Sequence, residues 1–202
     1  AAPTLRAEPL ITEFMASNTT TLVDQDQAFS DWIEVHNPDG TPVTLTGWYL
    51  TDTAANRTRW QFPAVTLPAG GYLVVFASNK NRREAGAELH TNFALGAEGE
   101  YLALVKPDGM SVVSEYAPTY PVQSNDIAYG LLPSTGGAWR ATYLPTPTPG
   151  AANSPAGAVT LAATVRFSRT GGPFTAPFDL ELTGAGAGQH IRVSTVAPSP
   201  AG

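Results

Sequence analysis

Short apolar stretches separated by polar turns make up most of this chain, and their spacing predicts strands rather than helices. Residues 30–37 (SDWIEVHN) place aromatic and β-branched residues beside carboxylates and stop at the turn residues Pro-Asp-Gly, as a sandwich strand does. Residues 72–77 (YLVVFA) are apolar on both faces, which predicts a central strand buried on each side. Residues 100–105 and 110–116 flank Lys-Pro-Asp-Gly, a strong hairpin signal. Shorter strands are predicted at 9–16, 43–52 and 59–63, and brief edge segments at 127–130 and 137–140.

These strands and turns predict an all-β sandwich. Several short strands follow one another at turn signals, and no segment carries the helical period that a doubly wound α/β fold requires. Within the SDWIEVHN strand, the period of two should turn Ile33 and Val35 to one face. The same period should turn Trp32, Glu34 and His36 to the other face.

Prolines and glycines divide the chain into four predicted parts. Residues 1–8 form a flexible lead-in, and residues 9–143 form the sandwich. Residues 144–157 contain alternating prolines, which cannot enter a central strand and favour an extended, semi-rigid linker. Residues 158–202 are too few to bury a stable core alone, so we interpret them as a truncated accessory β domain. Its strand-like stretches are 159–167, 178–182 and 191–193.

Composition favours an exported protein and disfavours several classes of partner. Charged residues make up only 14% of the chain, and 19 Gly and 18 Pro indicate a turn-rich protein. The formal net charge is −6 with 11 Lys and Arg, so neither nucleic acid nor an anionic membrane is an expected partner. No apolar run approaches the roughly 18 residues that membrane insertion as a helix requires. The absence of cysteine excludes disulfides and is compatible with bacterial export or with the cytosol. We expect an extracellular or cell-surface location.

Several motifs follow one another in a characteristic order between residues 9 and 153. They are ITEFMASN at 11–18, DWIEVHN at 31–37, LTGWYLTD at 45–52, WQFP at 60–63, PAGGYLVV at 68–75, HTNFAL at 90–95, GEYLAL at 99–104 and TPTPGAAN at 146–153. Together they resemble the lamin tail domain family, in its bacterial branch. The resemblance implies an immunoglobulin-like β-sandwich that acts as a structural or interaction module. It assigns no catalytic, cofactor-binding or metal-binding residue to this chain.

The tail carries a second resemblance. Residues 164–168 (TVRFS), 171–174 (GGPF) and 177–182 (PFDLEL) resemble the start of a chitobiase/β-hexosaminidase C-terminal-type domain. That family continues with an Ile-Arg-Tyr-Thr strand and an Asp-Gly turn, whereas residues 191–195 read IRVST and no Asp-Gly turn follows. The resemblance implies a noncatalytic accessory domain.

Asp24, Asp26, Asp31 and Glu34 form the densest acidic group. Paired carboxylates can serve glycoside hydrolysis, but Asp31 and Glu34 are three residues apart on a strand and should face opposite sides. Their expected role is hydrogen bonding at turns and strand ends. Asp24 and Asp26 have a Ca²⁺-like spacing without the Gly and Glu of an EF-hand loop. A loop Ca²⁺ site of another type, with Asp31 as a further ligand, therefore stays open.

The three histidines do not form a recognisable site in the sequence. His36 lies in a predicted strand, His90 in a loop and His190 in the tail. No His-Glu-x-x-His pattern is present, so a zinc site is not expected. Ser-His-Asp catalysis lacks the Gly-x-Ser-x-Gly motif, and we expect His90 to be a satisfied loop side chain.

Trp32, Trp48, Trp60 and Trp139 are either core residues or glycan contacts. Each lies within or beside an apolar strand, and a buried indole removes a large area from water, so we expect them in the core. Sugar-binding sandwiches instead present exposed aromatic rings. If all four indoles are buried, stacking on a glycan loses its physical basis.

Two functions remain open for this sequence. The first is a noncatalytic structural or interaction module of a larger exported bacterial protein, with a protein partner. The second is a carbohydrate-binding accessory module of a polysaccharide-degrading enzyme, with a glycan partner. Neither requires a cofactor, and we expect no enzymatic activity.

Overall fold

The structure is a computed structural model that describes residues 7–134, 138–155, 166–169 and 178–184. The chain divides into two compact units, Ala1–Val159 and Thr160–Gly202. Regular secondary structure in the described residues consists of strands, with no α-helix among them. The described ranges therefore contain no helix with the length and hydropathy needed to cross a membrane.

The strands are short, as expected for a turn-rich sequence. In the first unit they are β1 (Leu10–Met15), β2 (Asp31–His36), β3 (Val43–Thr44), β4 (Tyr49–Thr51), β5 (Trp60–Gln61), β6 (Thr66–Leu67), β7 (Tyr72–Ala77), β8 (Leu89–His90), β9 (Leu102–Val105), β10 (Val112–Tyr116), β11 (Ala128–Pro133) and β12 (Trp139–Leu144). The second unit contributes β13 (Arg166–Phe167) and β14 (Leu182–Thr183). The strands predicted at 9–16, 30–37 and 72–77 are all present.

Two sheets form the sandwich of the first unit. One has six strands in the order β12-β11-β1-β2-β7-β8, and the other has four in the order β10-β9-β4-β5. A small two-stranded sheet pairs β3 with β6. Neighbouring strands are antiparallel, except that β8 runs parallel to β7. The predicted all-β class is confirmed.

The core lies between the six-stranded and four-stranded sheets. Ile33 and Val35 of β2 belong to one buried cluster with Leu50 of β4. Trp32 belongs to a different buried cluster, with Met15 of β1, on the outer face of the six-stranded sheet. The predicted division of β2 into two faces is therefore confirmed for its apolar residues, since successive strand residues point to opposite sides.

A register shift in β1 places two acidic residues side by side. Ile11 pairs with Val35, but Glu13 pairs with Glu34, so Thr12 is an extra residue on β1. Such a bulge moves every later side chain of the strand to the opposite face. As a result, Glu13 joins Glu34 on the outer face of the six-stranded sheet.

The predicted edge segment at 127–130 is wrong. β11 lies inside the six-stranded sheet, between β12 and β1, and β12 forms the edge. Gly130 permits this position, because a Cβ there would come within 2.3 Å of the Thr12 carbonyl oxygen and 3.0 Å of the Asn153 side-chain nitrogen. In the sequence, Gly130 suggests that a strand is interrupted. In the structure, it is required because the backbone of β1 and the Asn153 side chain pack closely against it.

Burial along β7 differs from the prediction over half of its length. Val75, Phe76 and Ala77 are buried, but Tyr72, Leu73 and Val74 are only half-buried. β8 spans two residues and pairs with Val75 and Phe76, so only the second half of β7 has a neighbouring strand on that side. The prediction of a strand buried on both faces therefore holds only for that half.

The hairpin between β9 and β10 is confirmed. Val105 pairs with Val112 across it, and Gly109 has a φ of 68°, which favours glycine. The Asp108 carboxylate accepts hydrogen bonds from the backbone N–H groups of Met110 and Ser111, both at 2.8 Å. These bonds explain why Lys-Pro-Asp-Gly closes the turn.

The proline-rich segment, predicted as an extended, semi-rigid linker, contacts the sandwich. Residues 145–153, here called the strap, follow β12 and contact the six-stranded sheet. The Asn153 amide Nδ2 donates to the carbonyl oxygens of Thr12 at 2.8 Å and Leu131 at 3.0 Å. Proline cannot complete a sheet ladder, and the N–H groups of Thr148 and Gly150 bond to side chains of the sheet instead. The domain boundaries themselves stay predictions.

The second unit is described only in part. Phe167 pairs with Leu182 between β13 and β14, so the ends of two predicted strands meet. Residues 159–165 and 191–193, also predicted as strand, lie outside the described residues. The interpretation of the tail as an accessory domain therefore stays a prediction.

Candidate functional site

Two buried glutamates lie opposite each other at the centre of the six-stranded sheet. Glu13 and Glu34 are both fully buried and are direct partners in the register of β1 and β2. Within the described part of the chain, neither forms an ion pair. Two like charges directly opposite on a sheet are destabilising. The hydrogen bonds and the burial of the two carboxyl groups therefore determine their protonation state.

The strap and Thr12 supply the hydrogen-bond donors that the glutamates need. The Thr148 N–H donates to both Glu13 carboxyl oxygens at 3.1 Å, and its hydroxyl lies 3.0 Å from Glu13 Oε2. The Gly150 N–H donates to Glu34 Oε2 at 2.7 Å, and the Thr12 hydroxyl to Glu34 Oε1 at 2.6 Å. The two carboxyl groups therefore hold the strap to the sheet.

Burial dominates the protonation behaviour of both groups. Burial raises the pKa of Glu13 to about 7, the hydrogen bond from the Thr148 N–H opposes it, and the charge of Glu34 adds to the rise. Burial also raises the pKa of Glu34 to about 7, against hydrogen bonds from Thr12, Gly150 and Ala151. Groups of this pKa could exchange protons near neutral pH. Since both are fully buried, they have no surface on which a substrate could bind.

A second network has the residue types of a hydrolase triad. The Ser78 hydroxyl lies 2.8 Å from His90 Nδ1, and His90 Nε2 lies 3.0 Å from Glu88 Oε1. Sequence motifs did not connect these residues, because they come from the end of β7, the loop before β8 and β8 itself. His90 is thus a satisfied side chain, as predicted, but it lies in β8 and not in the predicted loop. Its partners are a serine and a glutamate.

The geometry around this triad is that of a structural network. His90 is fully buried, and its ring stacks on that of Phe76 with 5.3 Å between centroids. The backbone N–H of Asn79, which follows Ser78, donates to the Phe93 carbonyl at 3.2 Å. It is therefore not available to stabilise an oxyanion, which acyl transfer requires. Glu88 Oε1 also accepts from the Gln25 N–H at 2.8 Å and so joins two loops.

A comparison with family models decides the classification. The model of the lamin tail domain matches residues 3–119 of the chain. This chain belongs to the lamin tail domain family. Lamin tail domains are immunoglobulin-like and generally noncatalytic, and they commonly mediate protein interactions. No curated protein matches the chain.

The matched region of this lamin tail domain ends just after β10. It contains Glu13, Glu34 and the Ser78–His90 contact, whereas β11, β12 and the strap follow it. The strap that covers the glutamates therefore lies beyond the matched residues. The family resemblance and the immunoglobulin-like sandwich predicted from the sequence are confirmed.

The acidic loop considered for Ca²⁺ is neutralised by basic side chains of this lamin tail domain. Lys80 Nζ contacts Asp24, and it lies 2.7 Å from Asp26, which also pairs with Arg82 at 2.7 Å. Burial tends to raise the pKa of Asp24, but hydrogen bonds from Lys80, Ser30 and two backbone N–H groups outweigh it and lower the pKa. Among the residues that the structure describes, no group of three or more His, Cys, Asp or Glu side chains could hold a metal ion.

Asp31 belongs neither to the Asp24–Asp26 loop nor to the Glu13–Glu34 pair. Its Oδ1 accepts a long hydrogen bond of 3.4 Å from the Asn18 N–H, and burial raises its pKa to about 6. The structure therefore does not bring Asp31 together with Asp24 and Asp26 in the contacts it shows. It gives Asp31 the strand-end hydrogen bonding that the sequence predicts.

The tryptophans divide three to one between core and surface. Trp32, Trp48 and Trp60 are exposed by 0%, 7% and 1%, which agrees with the predicted core role. Trp139 is 45% exposed at the start of the edge strand β12, so the core prediction is wrong there. Its position on the sheet edge leaves one side of the indole without neighbouring strands.

Trp139 forms one wall of a small cleft. The cleft has a volume of about 90 Å³ and is lined by Thr12, Tyr72, Leu131, Pro133, Trp139, Ala152 and Asn153. Most of this lining is apolar, and the strap contributes its last two residues. The cleft therefore lies between the strap, the edge strand β12 and the bulge residue Thr12.

Sequence reasoning missed the partner that matters most for Glu34. Glu13 was assigned only to a strand, because the bulge at Thr12 that places it opposite Glu34 leaves no mark in the hydrophobic pattern. A signal was available in β1, where an acidic residue interrupts the apolar run Ile-Thr-Glu-Phe-Met. An acidic residue inside a strand of this kind is rarely buried unless a partner exists.

Proposed function

We propose that this lamin tail domain is a noncatalytic interaction module of a larger exported bacterial protein, located outside the cell or on its surface. The family supports an interaction role, since lamin tail domains commonly mediate protein contacts. The low charged fraction, with 19 Gly and 18 Pro, is the feature that favours export, and the absence of cysteine is compatible with it. The observation that carries the proposal is the open edge of β12.

β12 presents backbone hydrogen-bonding groups along its outer side. The Ser134 N–H donates to the Ala138 carbonyl at 2.7 Å, which makes these two residues a hydrogen-bonded pair. Since such pairs alternate along an antiparallel ladder, Trp139, Ala141 and Tyr143 turn their N–H and C=O groups away from β11. Among the described residues, no strand pairs with this side.

The chemistry of the edge favours an extended, acidic peptide of a partner protein. Extended peptides add to exposed sheet edges through main-chain bonds and gain specificity from alternate side-chain pockets. Here Arg140 is exposed and carries the positive charge of β12. The cleft beside Trp139 accepts an apolar side chain. The occupant is therefore an extended segment that combines a carboxylate with an apolar residue.

A peptide-display experiment tests this proposal. A library of random twelve-residue peptides is selected on the full chain, and the binding of enriched peptides is measured for Ala141→Pro and Ala141→Thr. Proline removes the outward N–H of residue 141 without removing a bond to β11, whereas threonine keeps the N–H. We expect at least a tenfold loss of affinity for the proline variant and little change for threonine. No enrichment, or equal binding to both variants, would contradict the proposal.

A carbohydrate-binding accessory module is the second candidate. It is supported by Trp139, whose exposed indole could stack on a pyranose ring beside the polar groups of Thr12 and Asn153. Binding of the chain to chitin, compared with Trp139→Ala and with Phe29→Ala, tests it, because Phe29 is equally exposed at 45% elsewhere. Loss of binding only with Trp139→Ala supports this function, and no binding by the unmodified chain excludes chitin as its ligand.

A further inference from the structure

The hydrogen bonds around Thr148 contain one proton too few for an ionised Glu13. The Thr148 hydroxyl lies 3.0 Å from Glu13 Oε2 and 2.9 Å from Asn153 Oδ1. A hydroxyl donates only one hydrogen. If Glu13 were a carboxylate, one of these two oxygen pairs would be a contact between acceptors without a proton.

The orientation of Asn153 removes the alternative of a reversed amide. Its other terminal atom lies 2.8 Å from the Thr12 carbonyl and 3.0 Å from the Leu131 carbonyl. Both are acceptors, so that atom must be the amide nitrogen, and the atom facing Thr148 must be the oxygen. The Thr148 hydroxyl therefore donates to Asn153 and needs a donor on its Glu13 side.

Glu34 has the opposite arrangement. Its Oε1 accepts from the Thr12 hydroxyl and its Oε2 from the Gly150 N–H. The Gly150 N–H can only donate and the Thr12 hydroxyl is free to donate, which matches an ionised carboxylate. One proton on the pair, carried by Glu13 Oε2 and donated to Thr148, completes all of these bonds.

We propose that Glu13 is a proton-binding site that locks the strap onto the sandwich, so that loss of this one proton releases the strap. Deprotonation would leave two negative charges opposite each other in the sheet and an acceptor facing the Thr148 hydroxyl. Both changes oppose the docked strap, and its release exposes the carboxylates to water. The high pKa of Glu13 given by its burial agrees with this assignment.

No other titratable group near the pair replaces this proton. β2 contributes His36, whose pKa burial lowers and which bonds to the Gly71 carbonyl. The tyrosines of the neighbouring strands are Tyr72, Tyr116 and Tyr129, and burial raises the pKa of each. β12 carries Arg140, which is exposed and forms no ion pair with either glutamate in the described residues. The strap itself has no ionisable side chain.

Release of the strap frees a stretch of chain that is otherwise held on the sheet. Residues 148–153 are held by Glu13, Glu34 and the Asn153 bonds, and six extended residues span roughly 20 Å. While Glu13 is neutral, these residues stay docked on the sheet. When Glu13 is ionised, they are released and can extend. The lock thus couples the proton on Glu13 to the attachment of residues 148–153.

Nuclear magnetic resonance of the full chain tests the lock directly. The side-chain carboxyl carbon of Glu13 and the backbone amides of Thr148 and Gly150 are followed from pH 4.5 to 9. We expect the Glu13 carboxyl to titrate near neutral pH, and the two strap amides to lose their hydrogen-bonded shifts with the same midpoint. Titration of Glu13 below about pH 5, or strap amides that do not change, would overturn the proposal.

Two variants distinguish strap release caused by Glu13 from changes caused by the titration of other groups. Glu13→Gln supplies a permanent N–H donor toward Thr148 and keeps an acceptor for its N–H, so we expect the strap transition to disappear. Glu98→Gln alters an exposed carboxylate and should keep the transition of the unmodified chain. A transition that persists in Glu13→Gln would also overturn the proposal. If Glu13→Gln does not fold, the titration of the unmodified chain decides alone.

Discussion

Glu13 lies directly opposite Glu34 across β1 and β2, and a single bulge residue, Thr12, creates this pairing. Without the bulge, one of the two carboxylates would point into the apolar core. With it, both face the strap, whose N–H groups are their donors. The relationship links a local irregularity of one strand to the docking of a segment about 135 residues away in sequence.

The stability of the sandwich should fall as pH rises. Burial raises the pKa of Glu13 to about 7 from a usual 4.5, so the folded state binds this proton more tightly than the unfolded chain. The resulting stabilisation is complete below about pH 4.5 and is lost as pH rises to about 7. One proton over this range corresponds to about 3 kcal/mol. Urea unfolding at pH 5 and pH 8 measures it, and an equal free energy of unfolding at both would contradict the expectation.

Gly130→Ala should destabilise the sandwich strongly. The added Cβ would meet the Thr12 carbonyl at 2.3 Å and the Glu13 Cα at 3.0 Å, which are backbone atoms that cannot turn aside. We expect a loss of about 3 kcal/mol or more in the free energy of unfolding. Gly40→Ala is the matched control, because a Cβ there has no atom within 4 Å. Similar unfolding curves for the two variants would show that β11 is not packed as described.

Asp24→Ala should weaken the attachment between the acidic loop and the loop after β7. Asp24 is 1% exposed and accepts from Lys80, from Ser30 at 2.7 Å and from the Ala28 N–H at 3.1 Å. Its removal leaves the Ser30 hydroxyl and the Ala28 N–H without this acceptor and leaves Lys80 paired with Asp26 alone, so we expect a loss of about 3 kcal/mol. Asp179→Ala, at an exposed position, should change stability by less than about 0.5 kcal/mol. Thermal unfolding of both variants compares them.

Ser78 should not behave as a hydrolase nucleophile. Its contact with His90 resembles that of a triad, but the following N–H is occupied and His90 is fully buried. We therefore expect no covalent labelling of the chain by a fluorophosphonate probe, with a serine protease as the positive control. Labelling that disappears in Ser78→Ala would refute the noncatalytic assignment.

The sequence predicted the sandwich better than it predicted the functional surfaces. Alternation in β2 correctly separated Ile33 and Val35 from Trp32, because burial enforces a period of two along a strand. The interior position of β11 could not be predicted in this way. Gly130 has no side chain to show a hydrophobic pattern, and its role depends on the approach of another strand.

The strap shows a second limit of sequence reasoning. Alternating prolines correctly indicated a segment that cannot join a ladder, but they do not show what binds its remaining N–H groups. Those acceptors, Glu13 and Glu34, belong to strands far away in sequence. Trp139 was assigned to the core for a related reason, since the pattern does not reveal which strand forms the edge of the sheet.

The strap also has a mechanical consequence. Tension applied to the chain beyond Asn153 reaches the bonds of Asn153, Gly150 and Thr148 before it reaches the ladder between β12 and β11. These bonds break one after another rather than together, so the segment peels from the sheet at low force. The length gained is at most roughly 20 Å, the extended length of six residues, less the distance that the docked segment already spans. A single-molecule pulling trace at pH 5, where Glu13 is protonated and the strap is docked, should show this short extension before the sandwich unfolds, and its absence there would contradict the prediction. The lamin tail domain thereby contains an extensible element that can absorb load without loss of its fold.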